Sequence, residues 1–186
     1  MWAAKKSPSP WSTFSTVKAD FSNVGVMGHS MGAKHIPTAI EDASTESAPN
    51  NIKAAVLSHG GADSKSYPLK IPSFFMTADG DTHTGTTPDD TYPWFDENTQ
   101  AASKVFVNLK AGGHGEPHTT YQLAEWTGVF FQCHLNSDQT ACDSIYGTAS
   151  NSICQSVDWV DTKSGSKGCL AISAKASSTA TAAPSS

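Results

Sequence analysis

The feature that most constrains this chain is a set of four short apolar runs, each ending in a polar loop. The runs are Val24–Met27, Ala54–Leu57, Ile71–Thr77 and Val105–Leu109. The loops that end them are "GHSMG", "SHGGAD", "ADGDTHTG" and "KAGGHGEPH". Runs this short and nearly continuous read as buried parallel strands, because a strand covered on both faces has no polar side to show. Segments of helical character separate them, one from Met31 to about Ala43 with Pro37 as a bend or effective start, and a short one within "DDTYPWFDENTQAASK". A clear helix follows the fourth run. Thr119 with Gln122 fits a capping box there, and Tyr121, Leu123, Ala124, Trp126, Phe130 and Phe131 supply an apolar face. The expected class is α/β, with a mainly parallel sheet flanked by helices. In such sheets functional groups gather beyond the carboxyl ends of the strands.

At 186 residues and 38% hydrophobic content the chain suffices for one domain with a real core. No apolar run approaches the ~20 residues of a membrane span, so no membrane partner is expected. The net charge is −5, and all twelve basic residues are Lys. Without Arg, and with the Lys residues scattered apart from Lys5-Lys6, nucleic-acid binding is disfavoured.

The loop after the first run carries a G-x-S-x-G pattern, Gly28-His29-Ser30-Met31-Gly32. Alone this is weak, but a strand precedes it and a helix follows, the setting of a nucleophile elbow. The expectation is a sharp turn where a side chain at either Gly28 or Gly32 would clash, with Ser30 at the tip. The Met31 N–H, at the helix start, would face a developing oxyanion. A serine hydroxyl needs a histidine base, itself oriented by a carboxylate. The loop after the third run offers Asp79 and Asp81, and the loop after the fourth offers His114. The order Ser, Asp, His is the one expected when such a triad is built on this topology.

On "GVMGHSMGA", "IPSFFMTADGDTH" and "VNLKAGGH", the chain resembles the secreted α/β-hydrolases of the dienelactone-hydrolase, cutinase and polyester (PET) hydrolase group. The resemblance covers about Asn23 to Cys154 and implies an α/β-hydrolase fold. It selects Asp81 as the acid, since "TADGDT" matches the family's acid loop, and His114 as the base, since "LKAGGH" matches its histidine segment. It also implies that an N-terminal half supplying four more strands and the second oxyanion donor is absent before Asn23. The expectation is therefore an N-terminally truncated fold, with the Ser30 strand as an open edge that invites a homodimer. Departures bear on the substrate: "LSHGGADSKSYP" has Tyr67 but no Trp, and "HGEPH" replaces the family's "H-F-x-P". These favour the ester class over a specifically polyester substrate.

Other residues carry secondary expectations. Asp79 is the alternative acid and His118 the alternative base. His29, His59 and Trp94 are expected to contact substrate, with plain surface for His59 and buried packing for Trp94 and Phe95 as the other readings. His83 sits at a strand-end loop, as pocket or surface. His114 and His118 have a metal-like spacing without a supporting partner pattern, so neither metal nor other cofactor is expected.

Cys133, Cys142, Cys154 and Cys169 lie in the last third, with no C-x-x-C pair. They read as two disulfides and hence an oxidising, extracellular compartment. Four cysteines allow three connectivities; the short loop favours Cys142 with Cys154, leaving Cys133 with Cys169. The expected organisation is an irregular segment over 1–22, an α/β core over 23–135, a cysteine-containing appendage over 136–170 and a disordered Ala/Ser/Thr/Pro tail over 171–186. The expected function is a secreted serine carboxylic-ester hydrolase. The alternatives are a non-catalytic binding remnant, or a peptidase or acyltransferase using the same triad.

Overall fold

The computed structural model describes residues 20–45, 51–60, 69–98, 100–115, 121–159 and 168–173. The expectations for Tyr67, His118, the Thr119 cap and most of both termini lie outside them. The elements are β1 (Val24–His29), α1 (Met31–Thr45), β2 (Ile52–Ser58), β3 (Ser73–Ala78), α2 (Pro88–Glu97), β4 (Ser103–Leu109), α3 (Tyr121–Leu135), α4 (Gln139–Tyr146), a 3-10 turn (Ile153–Gln155) and β5 (Cys169–Ser173).

The five strands form one sheet in sequence order, β1 to β4 parallel and β5 antiparallel to β4. The apolar runs are near-continuous because both sheet faces are covered. Ala54, Val56, Phe74, Met76, Val105 and Val107 face Leu123 and Phe130 of α3 and Ile145 of α4. The intervening Ala55, Leu57, Phe75 and Phe106 face Ala33 and Ile36 of α1 and Trp94 and Phe95 of α2. The alternation is the period-two rule of a strand, applied to two apolar layers.

Both ends of α2 are capped. Thr87 and Asp90 form a reciprocal capping box, with Pro88 as the first helical residue. At the other end the buried Lys104 of β4 donates from Nζ to the Phe95 and Asp96 carbonyls, at 2.7 and 3.1 Å. A lysine inside a sheet is tolerated here because carbonyls at a helix C-terminus accept its charge. Helix α1 starts at the elbow, with Ala33 and Lys34 N–H groups donating to the Ser30 carbonyl, and it runs through Pro37 rather than beginning there.

The disulfide pairing differs from the expected one. Cys133 pairs with Cys142 and Cys154 with Cys169. After α3 the chain turns at Ser137, whose φ is +54°, and Asp138 caps α4. This folds α4 back on α3 and brings the Cα atoms of Cys133 and Cys142 to 4.7 Å. Cys169 begins β5, which returns to the sheet beside β4 and meets the 3-10 turn bearing Cys154. Ala171–Ser173, grouped by composition with the tail, complete this strand. Two disulfides fit an extracellular protein. No helix among the described residues is long and apolar enough to cross a membrane.

Candidate active site

The carboxyl ends of β1, β3 and β4 bring together the three residues predicted to act jointly. His114 Nε2 lies 2.9 Å from Ser30 Oγ, and His114 Nδ1 lies 2.9 Å from Asp81 Oδ2. Asp81 is buried, and Ser30 and His114 are half-buried. An ionised carboxylate can only accept, so His114 Nδ1 carries the proton and Nε2 is left to accept from the Ser30 hydroxyl.

Local backbone chemistry explains each placement. Ser30 sits at φ +55°, the left-handed region that costs a non-glycine residue energy. Its N–H donates to the Ser58 carbonyl at 2.9 Å, continuing the β1–β2 ladder into the turn. Gly28 is required: a Cβ there would lie 2.4 Å from the Gly32 carbonyl oxygen. The matching expectation for Gly32 fails, since a Cβ there meets nothing within 4 Å. The crossing point of the turn is the Gly28 Cα against the Gly32 backbone, so only one of the two glycines is pressed. Met31 opens α1, so its N–H is among the helix donors without an intrahelical acceptor. Its side chain is exposed.

The acid loop is built as a chain of short bonds. The His83 N–H donates to Asp81 Oδ1 at 3.0 Å, and the Thr86 N–H and hydroxyl both donate to the His83 carbonyl. The Gly85 N–H donates to Asp90 Oδ2, which ties this loop to the capping box of α2. Gly80 donates to the Gly112 carbonyl at 2.9 Å, linking the acid loop directly to the loop of His114. A Cβ on Gly80 would lie 2.5 Å from that same oxygen. Burial pushes the Asp81 carboxyl up, but hydrogen bonds from His114 and from the His83 N–H outweigh it and hold the group below the usual carboxylate range. Asp79, the alternative acid, is exposed, and its N–H donates to the Leu109 carbonyl.

Histidines surround the centre. His29 Nε2 is 2.6 Å from the His114 carbonyl oxygen, and its ring lies 4.8 Å from that of His114. His59 is fully buried, at φ +50°, with Nδ1 3.1 Å from Ser58 Oγ and its ring edge-on to His114 at 5.8 Å. Of the two, His29 retains accessible surface. His83 stacks on His114 at 4.3 Å and is largely exposed. Trp94, expected at a substrate cleft, is a core residue: it is 4% exposed and edge-on to Phe75 at 5.4 Å. Its aromatic run in the sequence reflects packing of α2 on the sheet.

Two residues beside His114 have no predicted place in the relay. Thr86, whose Oγ1 lies 3.2 Å from His114 Nδ1, had no motif to mark it. His83 was weighed only as pocket or surface; its place two residues after the acid was the available signal. Asp81, His83 and His114 also form a group of potential metal ligands, one donor atom from each lying within 4.8 Å of the others. No protein-family model matches this chain, and no curated protein matches it.

Proposed function

We propose that the chain is a secreted serine ester hydrolase with an α/β-hydrolase architecture, similar in kind to cutinases and polyester hydrolases. The observation that carries the reading is the relay from Ser30 Oγ through His114 to Asp81, with both links at 2.9 Å. In the proposed reaction Ser30 Oγ attacks the ester carbonyl carbon while its proton passes to His114 Nε2. The Met31 N–H stabilises the charge on the carbonyl oxygen. Asp81 holds the Nδ1–H tautomer and stabilises the imidazolium. His114 then protonates the leaving alcohol as the acyl–Ser30 ester forms. Water attacks that ester, gives its proton to Nε2 and releases the acid, and the proton returns to Ser30. The strained φ of Ser30 supports this reading, since strain at such a residue holds the hydroxyl toward its base. His29, beside the relay with part of its surface accessible, is the proposed substrate contact.

The test is hydrolysis of p-nitrophenyl butyrate by the chain and by Ser30→Ala. The expected loss is about 10³-fold or more, as for other triad deletions. Equal rates would remove the assignment.

A further inference from the structure

We propose that Asp81, His83 and His114 also form a binding site for a zinc-class divalent ion, and that filling it switches the Ser30–His114 relay off. The three donor atoms already converge, each within 4.8 Å of the others. His114 Nδ1 is 2.9 Å from Asp81 Oδ2, and His83 Nδ1 is 3.5 Å from Asp81 Oδ1. Zinc bonds of about 2.0–2.1 Å place tetrahedral ligands roughly 3.3 Å apart, so the 2.9 Å His114–Asp81 pair must open slightly while the wider separations, up to 4.8 Å, close. Two imidazoles and one carboxylate suit zinc, with the fourth position left to water. They do not suit magnesium or calcium, which select oxygen.

The parts differ in freedom. Asp81 is fixed, its side chain fully buried and held by the His83 N–H. The His83 side chain is 68% exposed, so it can turn toward the ion, and its side of the cluster is open to solvent. The ring stack of His83 on His114 keeps that movement short.

The consequence follows from proton placement. A metal at Nδ1 takes the lone pair there, so the proton of neutral His114 must move to Nε2. No proton is lost. Nε2 then donates toward Ser30 Oγ and can no longer accept its proton. The ion also removes Asp81 as the orienting acceptor. One bound ion thus disables base and orienter together, and chelation restores them.

The inhibitory effect rests on the ester-hydrolase reading; the binding does not. The experiment is calorimetric titration of zinc chloride into the full chain carrying Ser30→Ala, repeated with His83→Ala added and with magnesium chloride as the hard-ion control. The expected result is one zinc per chain, little heat with magnesium, and a Kd raised about tenfold or more by His83→Ala, since even second-sphere losses around zinc cost ~10–100-fold. In the active chain, zinc is expected to suppress p-nitrophenyl butyrate hydrolysis at the concentration that saturates binding. The rate of His83→Ala, which keeps the backbone N–H on Asp81, is expected to resist zinc when compared with its own zinc-free rate. No zinc binding, or binding unaffected by His83→Ala, would overturn the proposal. His83-dependent binding in a chain without esterase activity would support the site and remove the hydrolase reading instead.

Discussion

The Asp81–His114 pair and Ser30 meet at one end of the sheet but are held by different kinds of strand. Asp81 and His114 follow β3 and β4, every residue of which is buried. Their loops are joined to each other through Gly80 and Gly112 and to α2 through Asp90. Ser30 follows β1, which among the described residues pairs with β2 alone and is at best half-buried, with Met27 48% exposed. His114 and Asp81 are therefore fixed by the core. The serine is fixed by local geometry: one ladder bond to Ser58, the start of α1 and the close pass at Gly28.

The largest expected effect tests the core side of this contrast. Phe75→Ala empties a fully buried site against Trp94 and Phe95 and is expected to lower unfolding free energy by about 3–5 kcal/mol. Met27→Ala on β1 should stay within about 0.5 kcal/mol. Urea titration of both variants measures this. An equal cost at Met27 would mean that β1 is covered and would dissolve the distinction.

The opposite end of the sheet provides the next test. β5 is also an outer strand, but a disulfide holds it: Cys154–Cys169 closes a separation of 15 residues. Replacing both cysteines by Ser is expected to cost about 3 kcal/mol by loop-closure entropy. Faster amide exchange in β5 than in β3 should accompany the loss. Unchanged stability would show that β5 holds to β4 by its ladder alone.

These contrasts also show which parts of the molecule were legible in the sequence. β2, β3 and β4 are readable because two covered faces leave uninterrupted apolar runs. β5 is not, because "CLAIS" alternates in burial as a half-exposed outer strand does, and its Ala and Ser residues merge with the composition that follows. The disulfides depend on it: the expected Cys142–Cys154 pair ignores both the return of Cys169 to the sheet and the still shorter Cys133–Cys142 loop, whose separation is 9 residues. The joint placement of Ser30, Asp81 and His114 was legible because each follows its own strand. The choice of Asp81 over Asp79 was legible only through the resemblance, since both acids share one loop, and its structural reason is the turn closed by the Asp81 N–H on the Ala78 carbonyl. Thr86 was invisible because a hydroxyl at a helix entrance is ordinary.

A third test compares two glycines of the same turn. Gly28→Ala presses a methyl into the Gly32 backbone and is expected to cost about 1–3 kcal/mol and to lower hydrolysis by displacing Ser30. Gly32→Ala enters open space near the start of α1 and is expected to raise stability by about 0.4–1 kcal/mol. Thermal unfolding of both variants reads the difference. Similar destabilisation by both would show that the turn as a whole, rather than its one pressed contact, holds the serine.

The smallest effect separates core from site by pH. His134 on α3 lies against Phe130 at 4.6 Å and bonds Tyr146 at 2.8 Å, and burial lowers its pKa from 6.5 to about 4. Between these values the unfolded chain binds a proton that the folded chain refuses. The stabilisation is therefore complete above about pH 6.5 and is lost as pH falls toward 4. Water reaches this half-buried ring, which reduces the effect to on the order of 1–2 kcal/mol. Asp81 acts in a lower window: its pKa is depressed below 3.8, so its contribution, present above that value, fades only as pH drops through the folded pKa. Urea midpoints measured from pH 7 to 4 should fall in the native chain and flatten in His134→Gln, whose amide can still bond Tyr146 but does not titrate. An unaltered slope would move the acid sensitivity away from the α3–α4 layer.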